Sequence, residues 1–301
     1  MTAYFPRLEL KTTEGWQDYG LIDSGNGLKL ERFGNLRLIR PEAEAIWKPL
    51  LPESEWSKAD AVFHPAPEEN GGHWKVRTNV PDRWSIEFQK LSCYLQLSRS
   101  RHIGIFPEQS WQWIWIQDAL TKINKPARIL NLFGYTGMAT LAAAITGARV
   151  THVDASKKAL TWARENQALS KMSEKSIRWL LDDAYKFVLR EKRRGSFYDG
   201  IILDPPKFGR GPKGEVWEFY KLLPDLLAAC TAILSKEPLF FMLTAYAVKA
   251  SSLTLYTAIH DLMSDRHGKT IAGELVLKEE SGGRFLSTAV FGMWHNNQLK
   301  D

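Results

Sequence analysis

Cysteine is scarce: the 301 residues contain two, Cys93 and Cys230, far apart and outside any C-x-x-C spacing. That argues against a disulfide framework or a cysteine zinc site, and it fits a reducing compartment. No apolar run reaches the roughly 18 to 20 residues of a spanning helix. The opening Met-Thr-Ala-Tyr-Phe-Pro-Arg has no apolar signal core. A soluble, cytoplasmic protein without a membrane partner is expected. His64, His73, His102, His152, His260, His267 and His295 show neither H-x-x-x-H nor H-E-x-x-H spacing, so no metal is expected. Internal repeats and low-complexity segments are also missing. Charge of one sign is not in large excess. Forty basic against 34 acidic residues leave +6, which permits a polyanion partner without demanding one.

What is present is core-forming material. Apolar residues make up 44% and aromatics 12%, which excludes a disordered tail protein. The length suits two domains at about 150 residues each. Eight of the twelve tryptophans fall before residue 120; most are expected in the core, and some could serve as stacking platforms. Residues 1–100 read as a small β-rich domain. Asp23–Gly27 is a turn into a strand over Leu28–Phe33, Asn35–Arg40 a second strand, and Glu69–Gly72 a turn before Trp74–Arg77.

Residues 101–301 read as α/β. Short apolar runs alternate with helical stretches, the mark of βαβ units and a mostly parallel sheet. Strands are expected over 127–132, 148–153, 177–181, 198–203 and 239–243. A closing hairpin is expected over 274–277 and 288–293. Helices are expected over 138–145, 156–169, 185–193, 217–234 and 253–263.

Four segments carry candidate chemistry. Asn131-Leu-Phe133-Gly134-Tyr135-Thr136-Gly137 joins a strand to a helix. Its glycines allow a sharp bend and a close ligand approach. The spacing is G-x-x-G, not the dinucleotide G-x-G-x-x-G, and an ordinary βα turn would also fit. Asp154-Ala155-Ser156 ends the next strand, 20 residues after Gly134. A carboxylate there can accept from a ribose diol, or serve as a helix-start acid. Asp182-Asp183-Ala184 follows the third strand. Asp183 is preferred as an acceptor for an adenine amino group, against a plain helix cap. Asp204-Pro205-Pro206-Lys207-Phe208 follows the fourth strand. Two prolines stiffen the backbone and remove N–H donors, so carbonyls and the Asp204 carboxylate remain as acceptors. Phe208 can stack on a base. The following Gly209–Gly214 segment reads as a mobile, basic substrate lid, with Lys207, Arg210 and Lys213 as substrate contacts.

The order of these motifs resembles that of class I S-adenosylmethionine-dependent methyltransferases. Within them the chain is similar to bacterial 23S ribosomal RNA base methyltransferases with an Asp-Pro-Pro-Lys/Ala-Phe motif. The resemblance covers roughly residues 100–295. It implies a Rossmann-like seven-stranded sheet, S-adenosylmethionine as cofactor, and RNA as acceptor. The group's Asn-x-Phe-x-Tyr-Thr-Gly is matched by Asn131, Phe133, Tyr135, Thr136 and Gly137. Its Asp-Gln-Arg segment is represented by Glu108-Gln109-Ser110, and the resemblance lays Gln109 over the cofactor pocket. Members that methylate cytosine C5 carry a nucleophilic cysteine after strand five. Here that segment reads Leu243-Thr-Ala-Tyr-Ala247.

Without that thiol, direct in-line transfer to a nucleophilic nitrogen or oxygen is expected, a base nitrogen being the first reading, with Asp204, Pro205, Pro206 and Phe208 around the acceptor. Holding donor and acceptor in line can supply about 7 to 11 kcal/mol of the barrier. A protein side chain or small molecule is the competing acceptor. A binding module without catalysis is a third reading. Basic clusters at 99–102, 186–194 and 207–213 could meet phosphates, or could be solvated faces.

Overall fold

In the computed structural model, residues 6–66, 71–77 and 79–299 are described. In chain order the elements are β1 (Leu8–Lys11), β2 (Tyr19–Gly25), β3 (Leu28–Phe33), β4 (Leu36–Pro41), α1 (Glu53–Trp56), β5 (Ala61–Pro65), β6 (Gly72–Val76), β7 (Trp84–Phe88) and β8 (Leu91–Leu95). There follow α2 (Ser110–Thr121), β9 (Arg128–Leu132), α3 (Met138–Ala144), β10 (Arg149–Asp154), α4 (Lys157–Leu169), β11 (Ile177–Leu181), α5 (Ala184–Arg194) and β12 (Gly200–Leu203). Then come β13 (Phe208–Arg210), β14 (Val216–Glu218), α6 (Phe219–Thr231), β15 (Phe240–Ala245), α7 (Ser252–Leu262), β16 (Gly268–Lys278) and β17 (Phe285–Asn296).

The chain forms two compact units. One comprises Met1–Lys11, Trp111–Leu275 and Ala289–Asp301; the other comprises Thr12–Ser110 and Val276–Thr288. A single cut at residue 100 therefore does not describe them. The chain's start lends a strand to the first unit, and the far end of the last hairpin belongs to the second.

The first unit is built on an eight-stranded sheet in the order β1-β16-β17-β15-β12-β9-β10-β11. Strands β15, β12, β9, β10 and β11 are parallel neighbours, and β17 runs antiparallel to β15. Strands β12 and β15 are buried along their whole length, as continuous apolar runs covered on both faces should be. The expected seven strands gain an eighth. Strand β1 pairs with β16 in parallel, and a Cβ on Gly273 would collide with the Glu9 carbonyl, so glycine admits the extra strand.

Helix starts follow local chemistry. Ser156 caps α4, Asp183 caps α5 and Ser251 caps α7, each side chain accepting a backbone N–H three residues on. Lys192, Arg193 and Arg194 complement the α5 dipole before Gly195 stops it at φ 65°. The expected helix over 217–234 starts later. Residues 216–218 pair instead with 208–210 as a short antiparallel hairpin, so the Gly209–Gly214 segment is its hydrogen-bonded turn region. Helix α2 lies where no helix was expected. Its Trp-x-Trp-x-Trp spacing resembles a strand, yet Trp113, Ile116, Ala119 and Leu120 are buried at helical intervals.

The second unit holds a five-stranded sheet, β2-β3-β4-β5-β6, and the hairpin β7-β8. It is β-rich, and its only α-helix among the described residues is the four-residue α1. Strands β3, β4 and β6 fall where sequence placed them. The expected turn at Glu69–Gly72 lies partly outside the described residues. A buried ion pair crosses β3 and β4: Arg40 grips Glu31 with Nε at 2.7 Å and a terminal nitrogen at 2.8 Å.

Candidate active site

The strand order places β9 between β10 and β12. The chain leaves β9 toward β10 and β11, then returns to its other side with β12. The crevice at the carboxyl ends of β9 and β12 is therefore a topological switch point, where open α/β sheets bind ligands. Residues 131–137, 154–156, 182–184 and 204–208 all follow from carboxyl ends of this parallel set. Four motifs separated by up to 77 positions in sequence thus converge on one edge.

The 131–137 turn is held in an unusual backbone. Phe133 and Tyr135 adopt φ 58° and 49°, and Gly137 adopts 88°. Left-handed non-glycine residues persist only where their surroundings impose them, and they gather at ligand clamps. The restraints are visible. The Gly134 amide donates to the Val153 carbonyl at 3.2 Å, and the Gly137 amide to the Gly134 carbonyl at 3.0 Å. Buried Asn166 donates to the Thr136 carbonyl at 2.9 Å. Helix α3 then starts at Gly137 with no side-chain cap.

Asp154 ties this turn to the next. Its carboxylate accepts the Tyr135 amide at 2.9 Å and the Ser156 amide at 2.7 Å, one on each oxygen. Each oxygen keeps a lone pair for a further donor. Burial raises the Asp154 pKa above its ordinary value, against the pull of those two amides. Ala155 lies between the two anchors, half-buried.

Of the two adjacent acids, Asp183 is the cap of α5, accepting the Lys186 amide at 2.8 Å. Asp182 pairs with Arg190 and accepts the Asp183 amide at 2.9 Å. Ala184 is buried at the first turn of α5.

On the other side of the crevice, the Asp204 amide donates to the Leu132 carbonyl at 3.4 Å, joining the proline motif to β9. Pro205 is buried, Pro206 exposed, and Phe208 is 56% exposed. The Trp217 indole donates to the Pro206 carbonyl at 2.6 Å and packs 5.0 Å from Phe133. Trp217 is a site residue that sequence reading assigned to a helix.

The basic clusters divide. In α5, Lys186 pairs with Glu215, Arg190 with Asp182 and Arg194 with Glu191, as a solvated structural face would. Lys207, Arg210 and Lys213 are exposed and form no ion pair among the described residues. Gln109 belongs to the second unit, where it ends the 3-10 turn Pro107–Gln109.

Neither thiol lies on this edge. Cys230 is buried inside α6 and its thiol is pushed far up by burial; Cys93 is buried in β8. Among the described residues no group of three or more His, Cys, Asp or Glu could hold a metal ion. No described helix is long and apolar enough to cross a membrane.

A family model for S-adenosylmethionine-dependent methyltransferases matches residues 63–256. The chain belongs to that family. It is 26% identical over 233 residues to ribosomal RNA large subunit methyltransferase I of Cronobacter sakazakii, and 27% identical to its Escherichia coli K12 counterpart. These matches cover 68% of this chain and 58% of each relative, so the chain spans a little over half of their length. The solved structure of an S-adenosylmethionine-dependent methyltransferase from Agrobacterium tumefaciens is 43% identical, with a TM-score of 0.92 over 98% of this chain and 96% of that one. The residues at the switch point suit the family's cofactor. Asp154 retains acceptor capacity for a diol, while a Cβ on Gly134 would meet His152 and one on Gly137 would meet Ala163, so both glycines let the turn pack closely onto the protein beneath it.

Proposed function

We propose that this protein methylates a base nitrogen of RNA, ribosomal RNA being the acceptor, by direct in-line transfer from S-adenosylmethionine. The observation that carries this reading is the apposition of the Asp204-Pro205 acceptors and the 131–137 turn across one switch point. The relatives named for ribosomal RNA support the acceptor class, as do the unpaired Lys207, Arg210 and Lys213 beside the proline motif.

When bound, S-adenosylmethionine supplies an activated sulfonium methyl. Asn131, Phe133, Gly134, Tyr135, Thr136 and Gly137 form its cradle, and Asp154 with Ala155 and Ser156 receives the ribose. Asp183 and Ala184 flank the adenine. The Asp204 carboxylate and the Pro205 carbonyl accept N–H bonds from an exocyclic amine and stabilise the positive charge growing on its nitrogen. One lone pair of the Pro206 carbonyl already serves Trp217, so the Pro205 carbonyl is the less committed acceptor. Phe208, largely exposed, offers a face for the base. Cysteine chemistry at C5 has no thiol within this arrangement. The reading expects a cytoplasmic enzyme, alongside ribosomal RNA.

The test is transfer of radiolabelled methyl from S-adenosylmethionine into an extract of cells lacking the gene. Label released by RNase and recovered as an N-methyl base supports the reading. Label that resists RNase and precipitates with protein overturns the RNA acceptor. A C5-methyl product overturns the in-line mechanism.

A further inference from the structure

Beneath the 131–137 turn lies a buried polar row in which Asn131 is joined by Trp179, His152 and Thr140, three residues that the chemistry above does not use. Trp179, His152 and Asn131 are direct cross-strand neighbours on β11, β10 and β9. His152 is fully buried and Asn131 nearly so. Thr140 of α3, also fully buried, binds both. It accepts from Asn131 Nδ2 at 2.9 Å, and its hydroxyl lies 2.9 Å from His152 Nδ1. The Trp179 ring packs against the imidazole with centroids 4.6 Å apart. Gly134 rests directly on this ring. A Cβ there would lie 2.6 Å from His152 Nδ1 and 3.0 Å from the Asn131 amide nitrogen.

The imidazole is an unfavourable choice if filling space is its task. Its Nε2 is buried with no hydrogen-bond partner among the described residues, and an unsatisfied buried polar atom destabilises a fold. Burial keeps the ring neutral, with its pKa pulled to about 3. Charge is therefore not its contribution at neutral pH. What the ring does provide is a flat support under Gly134, fixed in rotation by Thr140. Above it, the left-handed Phe133 and Tyr135 need restraint from both sides. Asp154 restrains Tyr135 from the carboxyl edge, and His152 restrains Gly134 from below.

We propose that His152, oriented by Thr140, is a positioning residue for S-adenosylmethionine, setting the height of the 133–137 turn. This rests on the reading of that turn as the cofactor cradle. The ring touches neither methyl donor nor acceptor, so its effect is on cofactor affinity and is independent of RNA.

Calorimetry with S-adenosylhomocysteine tests this without an acceptor, alongside melting temperatures of the ligand-free proteins. Thr140→Val keeps the shape and removes the hydroxyl. It is expected to weaken binding about tenfold or more through lost preorganisation, while Thr140→Ser binds like the wild type. Gly134→Ala is expected to weaken binding severely, and adding His152→Ala is expected to restore part of it, because the collision is relieved. Wild-type affinity in Thr140→Val would overturn the inference. A Gly134→Ala/His152→Ala double variant no better than Gly134→Ala would also overturn it, whatever the melting temperatures. Failure of the wild-type protein to bind S-adenosylhomocysteine at all would instead remove the cofactor reading, and the inference with it.

Discussion

Trp217 donates its indole N–H to the Pro206 carbonyl at 2.6 Å. That bond fastens the β13–β14 hairpin to the proline motif and occupies one lone pair of the Pro206 carbonyl. Trp217→Phe keeps the buried ring and removes the donor. The motif then loses one of its anchors and keeps two, the Asp204 amide on the Leu132 carbonyl at 3.4 Å and the Phe219 amide on the Lys207 carbonyl at 3.1 Å. Small misplacements of an acceptor site cost about ten- to a hundredfold in rate. The variant is expected to lose methyl transfer on that scale while binding S-adenosylhomocysteine normally. Equal affinity in calorimetry with unchanged turnover would show that the Pro206 bond does not position the site.

Asp154 yields a prediction in pH. Burial raises its pKa, so its carboxylate becomes protonated at a higher pH than an ordinary aspartate. Only the ionised form accepts on both oxygens. Cofactor affinity therefore falls as the pH drops through this raised value, at a higher pH than an ordinary aspartate would give. Asp154→Asn removes the acid limb and lowers the affinity at neutral pH by about tenfold or more, since hydrogen bonds to a charged group contribute about 1.5 to 3 kcal/mol. Titrating S-adenosylhomocysteine into both proteins between pH 4 and pH 8 checks both parts.

Lys207, Arg210 and Lys213 are expected to act through phosphate. Replacing all three with glutamine should flatten the dependence of log affinity for single-stranded RNA on log salt by about 2, at roughly 0.7 per lost contact. The α5 cations Lys186, Arg190 and Arg194 already hold carboxylates. Neutralising them should leave the salt slope nearly unchanged. A slope that responds equally to both sets would refute the distinction.

The sheet was legible because parallel strands buried on both faces read as plain apolar runs, and because Ser156 and Asp183 mark helix starts in the sequence itself. The four candidate segments stand out in the sequence, and fall at strand ends in the fold, for a related reason. Glycine, proline and acid residues at strand ends have few uses other than turns and ligands. Helix α2 escaped because its tryptophans alternate, and tertiary burial of Trp113 and Ile116 overrides that pattern. Strand β1 escaped because four residues carry no periodic signal, and its partner lies more than 260 positions away. His152 escaped for a different reason. A single histidine in a strand gives no sign of lying under a glycine until α3 is folded over it and Thr140 reaches its ring.

The second unit offers a test of how a buried charge pair works. Burial alone would raise the Glu31 pKa, but Arg40 and Lys29, with hydrogen bonds from Arg40 and Tyr19, lower it below the ordinary value. A carboxylate with a depressed folded pKa contributes stability that is present above the unfolded value near 4.5 and lost as the pH falls through the folded one. Arg40→Met removes the bidentate partner and leaves a buried carboxylate with weaker support from Lys29, 3.9 Å away. The expected loss at neutral pH is about 3 to 5 kcal/mol. The sign of the pH effect also reverses: with its partner gone, Glu31 is easier to protonate in the folded state than in the unfolded chain. Lowering the pH then favours the variant's fold while it erodes the wild type's. Urea midpoints at pH 7 and pH 4.5 should therefore converge. Adding Glu31→Gln to Arg40→Met should recover much of the loss at pH 7, because the destabilisation comes from the stranded charge and not from the missing guanidinium.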